Sequence, residues 1–137
     1  MKNICFLLFL FLYLPSNSQR VIDGDTFEYK GERYRLAYID APELSQPIVG
    51  QMSKEYLQRN LSLKGMRIIS KDKYGRYIVV LGDLNYRMVL DGYSVVFKFF
   101  CRDFKYFRAE KEAKRQKKGI HKYNFINPQK YRKWKKH

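Results

Sequence analysis

The sequence predicts an α+β protein built around a small β-barrel, and three observations carry that prediction. Short β-rich runs crowd the front of the chain, residues 21–84, while helical periodicity comes mostly later. Turn chemistry separates those runs at short intervals, as in Asp23-Gly24-Asp25 and Lys30-Gly31-Glu32. Hydrophobic residues make up 45% of the 137 residues and aromatics 17%, enough for one packed interior but, at this length, not for two.

The first eighteen residues read as an export signal. Lys2 is the basic start, residues 4–14 are apolar, and Ser16-Asn17-Ser18 offers small residues for cleavage. The apolar run falls short of the roughly 20 residues a bilayer crossing needs. The expected organisation is therefore a signal peptide over 1–18 and one domain over 19–137, secreted or periplasmic. Cys5 lies inside the signal and leaves Cys101 alone in the mature chain. A lone thiol makes no internal disulfide, so Cys101 is expected to be a packing residue beside Phe99 and Phe100.

The mature chain opens with strands at 21–22, 26–29 and 34–39. Pro42, Pro47 and Gly50 then mark a loop. In residues 51–61, Met52, Tyr56, Leu57 and Leu61 share one helical face. Strands at 66–70 and 77–81 follow, joined across 71–76. A second helix fits 86–91, with Gly92 as its C-cap. The third helix starts at Asp103 as N-cap, turns Phe104, Phe107 and Ala113 inward, and ends at Gly119. Beyond Ile120 the tail is basic and aromatic, with Tyr123, Phe125, Tyr131 and Trp134 expected to anchor it.

Charge narrows the partner. The chain carries 28 Lys/Arg against 13 Asp/Glu, a net +15, and residues 103–137 hold 13 of the basic side chains against 3 acidic ones. Such an excess suits a polyanion, because neutralising phosphates releases counterions.

Three short clusters hold the chemistry: Asp23-Gly24-Asp25-Thr26, Arg35 through Asp40-Ala41-Pro42-Glu43, and Lys73-Tyr74-Gly75-Arg76. Taken alone, Asp-Gly-Asp is an ordinary hairpin turn. Together the clusters supply carboxylates for a hard cation, a further carboxylate to accept a proton from water, and two permanent cations to grip a phosphate. No Cys/His spacing of the kind zinc requires is present.

The runs Val-Ile-Asp-Gly-Asp-Thr at 21–26, Arg-Leu-Ala-Tyr-Ile-Asp-Ala-Pro-Glu at 35–43 and Asp-Lys-Tyr-Gly-Arg at 72–76 resemble the staphylococcal nuclease (thermonuclease) family in order and spacing. The resemblance covers about residues 20–137. A monomer is a separate expectation; the resemblance implies an OB-fold, a five-stranded barrel with about three packed helices. It further implies a calcium-dependent phosphodiesterase acting on DNA and RNA with little sequence preference, favouring single strands and leaving 3′-phosphate ends. By the same resemblance Asp25 and Asp40 would ligate the ion, Ala41 would add its backbone carbonyl, and Asp23 would orient ligands or water from behind. Glu43 would be the general base, and Arg35 and Arg76 would brace the phosphate. Tyr74 would line the nucleotide pocket, with Lys73 adding positive field. Lys98 and Phe100 fall near substrate-contacting positions of the family and receive no role. Two departures stand out: Ala41 replaces the Thr of some members, and only residues 19–22 precede the Asp-Gly-Asp turn after the expected cleavage.

The rival reading is an OB-fold module that binds single strands without cutting. Such relatives lose the acids or arginines first, and Asp25, Asp40, Glu43, Arg35 and Arg76 are all retained here.

Overall fold

A computed structural model describes residues 18–137; the expected signal peptide therefore lies almost wholly outside the described residues. The element order is β1 (Arg20–Val21), β2 (Thr26–Tyr29), β3 (Glu32–Leu36), β4 (Ile39–Asp40), α1 (Val49–Asn60), β5 (Met66–Lys71), β6 (Tyr77–Leu81), α2 (Leu84–Leu90), β7 (Val95–Val96), α3 (Phe104–Arg115), a 3₁₀ turn (Gly119–Lys122) and α4 (Pro128–Trp134). Among the described residues no helix is long and apolar enough to cross a membrane.

Five strands form one sheet in the order β1-β2-β3-β6-β5. β2 and β3 make a hairpin through a two-residue turn. Lys30 and Gly31 both take positive φ there (49° and 77°), as the right-handed strand twist prefers. β3 and β6 run parallel, with Arg35 beside Ile78, and β5 pairs antiparallel with β6 across a bulge between Ile68 and Ser70. The mixed α+β class is as expected, but the sheet does not close into a barrel. The expected 34–39 strand breaks because Tyr38 takes φ 70°, which turns Ile39–Asp40 out of the sheet and onto β7. At the other edge β1 is only two residues long, too short to extend the ladder toward β5.

The core lies between the sheet and α1, α2 and α3. Phe27, Leu36, Ile39, Leu57, Val79, Met88 and Val89 are fully enclosed; burying each such side chain contributes roughly 1.5–3 kcal/mol. Tyr34 is stacked between Phe27 (centroids 5.1 Å apart) and Tyr77 (5.3 Å). Cys101 is buried, as expected, and burial pushes its thiol up.

Among the described residues four helices replace the expected three, and their faces differ in detail. α1 begins at Val49 and turns Ser53, Tyr56 and Leu57 inward, with Met52 and Leu61 only half-buried. Ser53 is preferred at the centre because its hydroxyl donates to the Tyr93 carbonyl. In α3, Asp103 caps as expected, its carboxylate accepting from Lys105 N at 3.0 Å. Tyr106, Ala109, Glu110 and Ala113 face inward, while Phe104 stands 79% exposed. The helix stops at Arg115, and Gly119 instead opens the 3₁₀ turn. Of the four expected tail anchors only Tyr131 is buried. Phe125 is half-covered against His121, and Tyr123 and Trp134 are exposed.

Asn85, at 0% exposure, ties the sheet to α2. Its Oδ1 accepts from Leu81 N (2.9 Å), and its Nδ2 donates to the Ala37 (3.1 Å) and Val79 (2.9 Å) carbonyls. Ala37 is where the backbone turns from β3 toward β4, so this one amide helps hold that corner. Asn85→Ala should strip the side-chain partner from Leu81 N and the Ala37 carbonyl, the Val79 carbonyl keeping Ala37 N, and lower unfolding free energy by about 2–4 kcal/mol; denaturant titration reads this, and a loss under about 1 kcal/mol would contradict the account.

Candidate active site

Backbone hydrogen bonds bring the first two clusters together. The 22–25 turn is closed by Ile22 N and Asp23 N, both donating to Thr26 O (2.9 and 3.3 Å), and by Asp25 N donating to Asp23 Oδ1 (3.0 Å). Gly24 is required by closeness: a Cβ there would lie 2.5 Å from Ser53 Cβ and 2.6 Å from Ala41 Cβ. The turn is thus pressed between α1 and the start of the 41–48 loop. Asp25 Oδ2 accepts from Ala41 N at 2.9 Å, and its Oδ1 accepts from Thr26 Oγ1 at 2.9 Å. Asp40 is fixed independently by the β4–β7 ladder, opposite Val95.

Arg35 enters from β3 and joins the two acids. Its Nη2 lies 3.3 Å from Asp40 Oδ1 and 3.6 Å from Asp25 Oδ2, so one nitrogen serves both carboxylates. Nη1 donates to Leu36 O (3.1 Å), and the guanidinium lies over the Phe97 ring at 5.2 Å. The arginine itself is buried, so it is desolvated and oriented.

The electrostatics are those of acids taken out of water and compensated by guanidinium groups. Burial, reinforced by the charge on Asp25, pushes the Asp23 carboxyl up to about 7. Burial would raise Asp25 too, but the Arg35 charge and the bonds from Ala41 N and Thr26 hold its carboxyl below the ordinary range. Asp40 sits at 0% exposure, and that desolvation, with Asp25 nearby, raises its carboxyl despite its arginine partners. Both Asp40 oxygens rest on guanidinium nitrogens, the geometry of a forked ion pair.

Glu43 lies at the mouth, half-buried, on a loop wound tightly against α1. Gln46 N donates to Glu43 O (2.9 Å), and a Cβ on Gly50 would come within 2.2 Å of that same carbonyl. Gly50 therefore sets how close the Glu43 backbone comes to the helix. Just before α1, Ile48 takes φ 69° and ψ −63° while Val49 N bonds Pro47 O at 2.8 Å, a strained γ-turn.

The third cluster forms the β5–β6 loop. Asp72 Oδ1 accepts from Tyr74 N (2.9 Å) and Arg76 N (3.0 Å), and its Oδ2 takes Arg76 Nε and Nη2, each at 2.8 Å. Arg76 and Lys73 also flank the Tyr74 ring at 5.5 and 5.2 Å, and Tyr74 is 70% exposed.

All these groups line one cleft of about 1250 Å³, with Asp23, Asp25, Arg35, Asp40, Ala41 and Glu43 on one side and Lys73, Tyr74 and Arg76 on another. Arg35 meets the acids directly. Arg76 shares the cleft, but its guanidinium is engaged by Asp72. Phe99 and Phe100, both largely exposed, join the lining; Lys98 does not.

Sequence reasoning missed the fourth side of the cleft. α4 brings Arg132 across, with Nη1 to Asp40 Oδ1 at 3.0 Å and Nη2 to Asp40 Oδ2 at 2.6 Å, and Lys135 Nζ lies 3.7 Å from Glu43 Oε2. A signal for the helix was present. Asn127-Pro128 is an N-cap followed by proline at the first helical position, and Asn127 Oδ1 does accept from Gln129 N at 3.0 Å.

The donor types at the floor suit a hard cation, being carboxylate and backbone carbonyl oxygens throughout. Among the described residues no three Asp, Glu, His or Cys side chains converge on one point. An ion here would therefore draw on Asp25, Asp40, the Ala41 carbonyl and oxygens from outside the protein.

The hydrogen bonds of the 72–76 loop yield a pH prediction. Although burial works against it, the bonds from Arg76 hold the Asp72 carboxyl below its ordinary value. A lowered acid contributes stability above its unfolded pKa and loses it as pH falls through the folded value. Asp72→Asn should therefore destabilise the protein at pH 7, with the gap to wild type closing between about pH 5 and 3; a gap constant over that range in chemical denaturation would show that charge plays no part.

The family model for staphylococcal nuclease homologues matches residues 33–123, well over half of the chain. The match includes Arg35, Asp40, Glu43 and Arg76 and leaves outside it the Asp23–Asp25 turn and α4. No curated protein matches the chain. The chain belongs to the staphylococcal nuclease homologue family.

Proposed function

We propose that this chain is an exported, calcium-dependent nuclease that hydrolyses phosphodiester bonds in DNA and RNA with little sequence preference and leaves 3′-phosphate ends. One observation carries the reading: a single Arg35 nitrogen lies between the Asp25 and Asp40 carboxylates at the floor of a cleft that also holds Glu43 and Arg76. An ordinary structural ion pair needs neither the cleft nor a second acid.

In this reading Asp25, Asp40 and the Ala41 carbonyl would hold a calcium ion, with Asp23 orienting ligands or water from behind. The ion, when bound, would neutralise charge on the phosphate and lower the cost of water's attack. Arg35 would present its fork to the non-bridging oxygens, its orientation already set by Phe97 and Leu36 O. Glu43, at the mouth, would take the proton of the attacking water. Arg76 would leave Asp72 for the phosphate. Tyr74, exposed beside it, would stack on a base, with Lys73 adding field. A five-stranded sheet packed with helices is compatible with an OB-type barrel that closes less fully here. Single strands would be preferred over duplex, and a monomer would suffice because every group comes from one chain.

The test is degradation of denatured DNA by the purified mature chain with calcium, stopping on addition of a chelator. Arg76→Ala and Glu43→Ala should each lower turnover by about 10²-fold or more with binding largely kept. Undiminished cutting under chelation would overturn the metal assignment. Binding without cutting in calcium would favour the non-catalytic module.

A further inference from the structure

We propose that the C-terminal helix is a latch on the acid pair: Arg132 and a divalent cation compete for Asp40, and the ion enters as α4 lets go. This rests on the reading of the site as a cation-dependent one and adds its regulation.

The argument starts from the oxygens. Arg132 forks across both Asp40 carboxylate oxygens, at 3.0 and 2.6 Å, and Arg35 adds a third contact at 3.3 Å. Asp40 has no exposed surface. A cation bound directly to a carboxylate sits at about 2.3–2.6 Å from its oxygens, in the space a forked guanidinium fills. Ion and fork therefore claim the same lone pairs, and two like charges would crowd at that distance.

The manner in which α4 is held points the same way. Of its seven residues only Pro128 and Tyr131 are buried. The rest of its attachment is polar and runs to residues 40–46. Tyr131 OH bonds Ser45 Oγ (3.0 Å), and Lys135 Nζ reaches Ser45 Oγ (3.1 Å) and Glu43 Oε2 (3.7 Å). Just ahead of the helix, the Gln46 amide exchanges two bonds with the Ile126 backbone (3.0 and 3.1 Å). A helix this short does not persist unaided in water. Its docking therefore depends on the acids it caps, and anything that takes those acids loosens it. By linkage the reverse holds too: α4 docking weakens ion binding by the same factor.

The experiment measures ion uptake and helix docking separately, without relying on turnover. Calorimetry with calcium alone compares the unsubstituted chain, Arg132→Ala and Asp40→Asn. If the latch is closed nine-tenths of the time, Arg132→Ala should bind calcium about tenfold more tightly. In the unsubstituted chain, calcium should speed hydrogen exchange of the 129–134 amides while leaving β2 and β3 protected. That measurement needs no variant and so holds even if Arg132→Ala fails to fold. Equal calcium affinity with and without Arg132, or unchanged exchange in α4 at saturating calcium, would overturn the latch while leaving the cation site standing. Asp40→Asn should lose calcium uptake; no uptake by the unsubstituted chain and Arg132→Ala as well would instead sink the cation reading, and the latch with it.

Discussion

The site depends on one buried contact, the Arg35 guanidinium set between the Asp25 and Asp40 carboxylates. Two desolvated acids at close quarters repel, and each would tend toward its neutral form. Breaking such a cluster from one side typically costs about 3–5 kcal/mol, because it strands an uncompensated charge. Much of the surrounding architecture can be read as meeting that constraint. Ala41 N and Thr26 satisfy Asp25, Phe97 and Leu36 O orient Arg35, and Arg132 completes Asp40.

The irregular backbone serves the same end. The break at Tyr38 takes Asp40 off the main sheet and onto β7, so that Asp40 and Arg35 can meet from separate ladders. Gly24 lets the acidic turn close on α1 and Ala41, and Gly50 lets the Glu43 backbone press against the same helix. The sheet supplies a rigid base, while the chemistry-bearing groups sit on turns and strand ends around it.

Much of this was legible in the sequence, for identifiable reasons. β2 and β6 carried β-branched and aromatic residues between clear turn signals, and both appear at their expected bounds. Asp103 announced α3 by its capping chemistry. The three clusters were visible because their residue types are costly to bury without purpose, and the family match takes in most of them. What stayed hidden depends on contacts between distant segments. Nothing local marks Tyr38 for a positive φ, so the split of the 34–39 strand could not be read. Phe104 fits an inward helical face by periodicity, yet the register of α3 on α2 turns Tyr106 inward instead. Asn127-Pro128 signals a helix, but that Arg132 would reach Asp40, ninety-two residues away, follows only from the fold.

The central claim is that this acid–arginine cluster is where a phosphodiester is cleaved. Single-turnover cleavage of a short end-labelled oligonucleotide, with mass analysis of the product ends, tests it most directly when Asp40→Asn is compared with wild type. Wild type is predicted to release fragments ending in 3′-phosphate, and the variant, with its fold verified by circular dichroism, to leave the strand intact on the same timescale. A folded Asp40→Asn protein that cuts as fast and leaves the same ends would contradict the account.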